Sequence, residues 1–220
     1  MQYKAVIFDM DGLLIDSEPL WQEAGSETLH EFGVELSDEQ YHSSTGLRTE
    51  EWIEHWFNYF NLSMEHAPAA IDTIIQKAIE KIGARGIIFP GVEYILDFFS
   101  EKNFKMAIAT SSPLSLVEVV LKKLNPGFTF DAITSAEKVA FGKPHPQVYI
   151  DCAAILHINP INCIAFEDSF NGMIAAKAAK MKCVVVPAAS DCDHAKWGAA
   201  DLKLKSLDEF NQILFKKLLD

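Results

Sequence analysis

Positive charge is in short supply in this sequence. Lys and Arg total 19 against 31 Asp and Glu, a formal net charge of −12 over 220 residues. A nucleic-acid backbone is held by clustered Lys and Arg, so the balance argues against a nucleic-acid partner and against an anionic membrane surface. No apolar run approaches the roughly 20 residues of a membrane span. Cysteine is scarce as well. Cys152, Cys163, Cys183 and Cys192 include no close-spaced pair, so no zinc or dithiol motif is present and they are read as reduced thiols. Residues 1–8 have neither the length nor the small-residue cleavage site of a secretory leader, so a cytoplasmic protein is expected. Internal repeats, low-complexity tracts and coiled-coil heptads are also lacking, and a monomer is expected.

What is present is an ordinary globular composition, 49% hydrophobic and 23% charged. Short apolar runs at 5–8, 106–109, 132–134, 163–166 and 183–186 alternate with helical periodicity at 92–101, 114–123, 146–156 and 172–181. Near-continuous apolar character marks strands buried on both faces, and strand–helix alternation marks a parallel sheet between helices. The fold class is α/β, a doubly wound parallel sheet. A late run at 202–204 reads as an edge strand, and 207–219 as a closing helix.

Residues 16–88 break this rhythm. They offer amphipathic helices at 18–32, 49–60 and 67–82, with Ser17 and Pro19 suiting a helix start. So long a stretch exceeds an ordinary strand connection. An α/β core of 1–16 and 89–220 is therefore expected, with an inserted helical subdomain at 17–88. Trp52, Trp56, Phe57 and Phe60, at helical spacing, read as the core of that insertion more readily than as a sugar-stacking platform.

Polar residues gather where strands end, the place where an open parallel sheet binds ligands. The first strand runs into Asp9-Met10-Asp11-Gly12. Carboxylates at i and i+2 project to the same side and repel, so they recruit a cation or share a proton, unless they form only a solvated turn. The second strand ends in Thr110-Ser111-Ser112-Pro113, a phosphate cradle at a helix start, or an N-cap by Ser112. Lys143 and His145 lie in the loop Gly142-Lys143-Pro144-His145-Pro146, and Glu167-Asp168-Ser169 closes the fourth strand. Paired acids there supply hard oxygen ligands of the kind Mg²⁺ takes, or complement a helix dipole.

These four clusters, in this order and with a helical insertion after the first, resemble the haloacid dehalogenase-like hydrolase superfamily across nearly the whole chain. The stretches Phe8–Trp21 and Lys143–Tyr149 look like those of its sugar-phosphate and hexitol-phosphate phosphatases. The resemblance implies that Asp9 is the nucleophile and Asp11 the general acid and base. It implies Mg²⁺ held by Asp9, the Asp11 carbonyl and Asp168, with Glu167 in or near the coordination sphere. Thr110, Ser111 and Lys143 would hold the phosphoryl oxygens, and Arg48, in a cap loop, would meet a phosphate or sugar hydroxyls. The substrate implied is a small phosphomonoester, a hexose or hexitol phosphate, with phosphoglycolate and nucleotide monophosphates behind it. In the β-phosphoglucomutase branch a His follows the nucleophile by twelve residues. Trp21 stands there in this chain and cannot shuttle a proton. Dehalogenases, which attack carbon, lack the acid at the position of Asp11. A non-catalytic ligand-binding protein on the same scaffold is the reading from another class, and a retired site would be expected to have lost one of Asp9, Asp11, Lys143 or Asp168.

Overall fold

The computed structural model describes residues 3–44 and 46–219, with the backbone alone for His42. Met1, Gln2, Thr45 and Asp220, which fall within ranges expected above, lie outside the described residues. The elements run β1 (Ala5–Phe8), β2 (Ile15–Asp16), α1 (Glu18–His30), α2 (Asp38–Ser43), α3 (Thr49–Tyr59), α4 (Ala67–Arg85) and β3 (Ile87–Ile88). They continue α5 (Val92–Ser100), β4 (Lys105–Thr110), α6 (Leu114–Leu121), β5 (Ala132–Ser135), α7 (Gln147–Ile155), β6 (Cys163–Glu167) and α8 (Phe170–Ala178). The chain closes with β7 (Lys182–Val185), β8 (Leu202–Lys203) and α9 (Gln212–Leu219).

Six of these strands form one parallel sheet in the order β5-β4-β1-β6-β7-β8. From β1 the chain winds outward through β4 and β5, then crosses back to β6 and winds the other way. The switch point thus lies at β1 and its two neighbours, and a crevice opens beyond their carboxyl ends. Residue size differs between the faces. Phe8, Ile108, Phe166 and Val184 point to one side, where Phe166 meets Phe99 and Phe210 at centroid distances of 5.7 and 5.1 Å. Each buried ring of this kind contributes about 1.5–3 kcal/mol by leaving water. Ala5, Ala107, Ala109, Ala165 and Cys183 face the other side. Their small side chains let α7 and α8 lie close to the sheet.

The helices α1 to α4 form the segment between β2 and β3, which pair antiparallel as a two-residue ribbon, Ile15 opposite Ile88 and Asp16 opposite Ile87. Trp52, Trp56 and Phe57 are buried there, whereas Phe60 is only partly covered. The short α2 was not anticipated. The expected helix at 207–219 is divided: a single 3-10 turn at Leu207–Glu209 precedes α9. Asn211 causes the break, since its side-chain oxygen accepts from the amides of Ile213 and Leu214 at 3.0 and 3.1 Å and so starts a new helix. Cys152, Cys163 and Cys183 are buried with free thiols, and Cys192 is half-buried and also unpaired. No helix among the described residues is long and apolar enough to cross a membrane.

Candidate active site

The ends of β1, β4 and β6 bring Asp9, Asp11, Thr110, Ser111 and Asp168 to one cavity, to which the loop between β5 and α7 adds Lys143, and α1, α3 and the turn before α3 roof it. Just past β1 the chain turns sharply, with the Gly12 amide donating to the Ile15 carbonyl at 3.0 Å. Gly12 has φ +74°, and a Cβ there would lie 2.1 Å from Oδ2 of Asp168. Only glycine permits that conformation and that approach together.

Lys143 is the buried cation of the site. Its ammonium donates to Asp9 Oδ1 and Glu167 Oε1, each at 2.6 Å, and to the Ala109 carbonyl at 3.1 Å. Burial alone would lower its pKa, but Asp9 and Glu167 reverse this and hold it above the ordinary lysine value. Glu167, wholly buried at the end of β6, is fully engaged by the protein. Oε1 also accepts the Tyr149 hydroxyl at 2.6 Å, and Oε2 accepts the amide and hydroxyl of Ser169 at 3.3 and 3.1 Å. A carboxylate accepting four such bonds has its lone pairs committed. The geometry therefore makes Glu167 the anchor of Lys143. Tyr149 was not singled out by the sequence reading, because a Tyr in an apolar helix reads as core.

Asp11 is held from both sides of the cavity. Oδ1 accepts from the Ser17 hydroxyl at 2.7 Å and the Trp21 indole N–H at 2.9 Å. Oδ2 accepts from the Ser112 hydroxyl at 2.7 Å and, more distantly, from Thr110 at 3.4 Å. Ser17 and Ser112 were both read as helix-start residues. Ser17 does occupy the N-cap of α1, and Pro113 that of α6, yet neither cap residue makes a side-chain capping bond. The two hydroxyls turn to Asp11 because a charge-assisted bond is roughly twice as strong as a neutral one. Ser169, by contrast, caps α8, accepting from the Gly172 amide at 3.0 Å.

Arg48 lies in the cavity wall with its guanidinium committed elsewhere. It donates to the carbonyls of Val139 (2.8 Å), Ala140 (3.1 Å) and Ala136 (3.3 Å). Its Nε faces Glu51 at 3.3 Å, and Glu51 in turn accepts from the Gly142 amide at 2.9 Å. A substrate contact through Arg48, as the sequence suggested, would have to break these bonds. The first turn of α3 is instead clasped to the loop that carries Lys143. Ser111 makes a second tie, its hydroxyl donating to the Gly46 carbonyl at 2.9 Å. His145 is exposed and makes only local contacts, its ring accepting from the Gln147 amide.

Negative charge is in excess. Asp9, Asp11, Glu18 and Asp168 line the cavity with Lys143, and Glu167 lies behind them. Burial, then repulsion from Glu167 and Asp11, pushes the Asp9 carboxyl up to about 8 against the pull of Lys143. Burial, with Asp11 and Asp9, likewise pushes Glu18 up to about 8. Asp168 is driven well above the carboxylate range by burial and by Asp9 and Glu167. Asp9, Glu167 and Asp168 each bring a carboxylate oxygen within 4.8 Å of the others. Hard oxygens crowded beyond what one ammonium can neutralise fit a divalent cation such as Mg²⁺. With Glu167 committed, Asp9 and Asp168 are the oxygens left to meet it.

The chain belongs to the haloacid dehalogenase-like hydrolases, whose family description matches residues 6–186. It is 41% identical over 209 residues to hexitol phosphatase B of Escherichia coli K12, covering 94% of each chain. It is 30% identical over 178 residues to a phosphorylated carbohydrates phosphatase of Thermotoga maritima, covering 80% of this chain and 81% of that one. Among solved structures, a β-phosphoglucomutase from Clostridium difficile superposes with a TM-score of 0.87 at 25% identity, covering 99% of this chain and 98% of the other.

Proposed function

We propose that this enzyme, a phosphatase of its family, hydrolyses small sugar phosphates, hexose or hexitol phosphates, through a phosphorylated Asp9. The observation that carries the reading is the pairing of Asp9 with Lys143 at 2.6 Å beside an Asp11 held by four donors. Asp9 attacks phosphorus, the ester oxygen leaves with a proton from Asp11, and Asp11 then takes a proton from the water that cleaves the aspartyl phosphate. Thr110, the Ser111 amide and Lys143 receive the phosphoryl oxygens and stabilise the charge spread over them. Asp9, Asp168 and the Asp11 carbonyl would hold Mg²⁺. The cation supplies the positive charge that lets an anionic nucleophile approach an anionic phosphoryl group.

In this reading residues 17–88 are a cap over the core of 1–16 and 89–220, and its closure excludes water. The clasp of Arg48 and Glu51 on the loop ahead of Lys143 supports that role. A mutase, which needs a proton shuttle on the sugar, is disfavoured by Trp21, whose indole can only donate. The test is phosphate release from 2-deoxyglucose 6-phosphate, glucose 6-phosphate, sorbitol 6-phosphate, β-glucose 1-phosphate, phosphoglycolate and a nucleotide monophosphate. Release with Mg²⁺, lost with chelator and in Asp9→Asn, and highest for the hexose or hexitol esters, is the expected result. A folded protein that releases phosphate from none of them overturns the proposal.

A further inference from the structure

Resting on the phosphatase reading, we infer that Trp21 is a positioning residue for proton transfer: it clamps Oδ1 of Asp11 and so turns Oδ2 toward the phosphoryl site. The four donors on Asp11 differ in kind. Ser17, Ser112 and Thr110 present hydroxyls, which donate or accept by rotation, whereas an indole N–H only donates. The oxygen held by Trp21 at 2.9 Å must therefore remain an acceptor whether or not Asp11 carries a proton. A carboxyl accepts more strongly through its carbonyl oxygen than through its hydroxyl oxygen, so this fixed donor favours the proton on Oδ2, whose neighbours Ser112 and Thr110 can rotate to accommodate it. Thr110, which in the phosphatase reading receives a phosphoryl oxygen, lies 3.4 Å from Oδ2, so in that reading Oδ2 is the oxygen nearer the phosphoryl site.

The transfer then balances as follows. An Asp9 oxygen forms a bond to phosphorus, the ester P–O bond breaks, and its electron pair stays on the leaving oxygen. The proton on Oδ2 passes to that oxygen. In the second half a water oxygen bonds phosphorus, the Asp9–phosphorus bond breaks, and a water proton returns to Oδ2. Because Trp21 belongs to α1 and Oδ2 is held from the end of β4 and the turn after it, the acid is aimed only while α1 is docked on the core. The cap thereby selects the moment of proton delivery as well as the substrate.

Trp21→Phe keeps most of the ring and removes the N–H. The measurement is the rate of the first turnover with enzyme in excess and Mg²⁺ saturating, on two esters. Glucose 6-phosphate leaves as an alkoxide that needs a proton, and p-nitrophenyl phosphate leaves as a stable phenolate that needs none. General acid catalysis is worth about 10²–10⁴-fold, so mis-aiming the acid should slow the sugar ester by roughly 10–100-fold, with a loss on the aryl ester at least tenfold smaller. KM should change little. Ser17→Ala, which removes the other Oδ1 donor with little change in packing, should show the same leaving-group selectivity. Equal losses on both esters, or none on either, overturn the inference while leaving the phosphatase reading intact. No release from either ester by the parent enzyme overturns that reading first.

Discussion

The hydroxyl of Tyr149 and the ammonium of Lys143 share one oxygen of Glu167, each at 2.6 Å. Position 149 therefore governs how firmly the cation beneath Asp9 is seated. A hydrogen bond to a buried charge is worth about 1.5–3 kcal/mol, and Tyr149→Phe should lower unfolding free energy by that amount in urea titrations. Lys143→Ala strands two buried carboxylates and should cost about 3–5 kcal/mol, with loss of turnover. Equal stability of the two variants would contradict this arrangement.

Glu167 and Asp168 adjoin in sequence and differ in task. With its oxygens taken by Lys143, Tyr149 and Ser169, Glu167 would influence a Mg²⁺ held by Asp9 and Asp168 only through its neighbours. Residues in such a supporting place change metal affinity by about 10–100-fold. Glu167→Gln should shift the Mg²⁺ concentration for half activation within that range. Asp168→Asn should abolish activation at any accessible Mg²⁺ concentration. Calorimetric Mg²⁺ titration checks both without relying on activity.

Gly12→Ala should be inactive. The added methyl would meet Asp168 Oδ2 at 2.1 Å, and a non-glycine residue in this left-handed conformation costs about 1–2 kcal/mol besides. A thermal shift downward together with lost Mg²⁺ binding is the expected pair of results. Retained Mg²⁺ affinity would show that Asp168 is not confined as described.

Removing the clasp should leave both halves folded and loosen their contact. Arg48→Ala forfeits three bonds to the 136–140 carbonyls. At about 1.5–3 kcal/mol for charge-assisted bonding, the arrangement with Arg48's turn clasped to the 136–140 loop should lose roughly 10–100-fold in population. Hydrogen exchange should quicken at 136–142, and KM should rise. Unaltered exchange there would mean that other contacts hold α3 against this loop.

The cysteines should divide three to one toward a thiol reagent. Burial pushes Cys152 and Cys163 up to about 12 and Cys183 well above its ordinary value, and only the thiolate reacts. Cys192, half-buried in the segment after β7, should supply one fast equivalent in native protein, with three more appearing on unfolding.

The sheet was legible because strands covered on both faces write themselves as unbroken apolar runs, so β1, β4, β6 and β7 lie where 5–8, 106–109, 163–166 and 183–186 predicted. Asp9, Thr110 and Glu167 were legible as polar residues ending such runs. What sequence could not show was partnership. Ser17 and Ser112 look like caps in any local window, and their common attachment to Asp11 spans 95 positions between them. Arg48 reads as a cap-loop residue in reach of substrate or as a solvated helix start, and its bonds to the carbonyls of Val139 and Ala140, 91 and 92 residues on, lie outside any local window. Asn211 caps α9 from within what reads as one apolar periodicity from 207 to 219, so the break is not visible in the pattern alone.

The β2–β3 ribbon has a consequence for the history of such a chain. Its register sets the chain's departure into the helices α1 to α4 and its return side by side, Asp16 opposite Ile87. Paired backbones of this kind stand about 5 Å apart, so whatever is spliced between them leaves and returns at almost the same point. The sheet need not adjust to the length or shape of the insert. A different helical module grafted between positions 16 and 87 would leave Asp9, Asp11 and Lys143 on an unchanged sheet while changing the walls of the cavity around them.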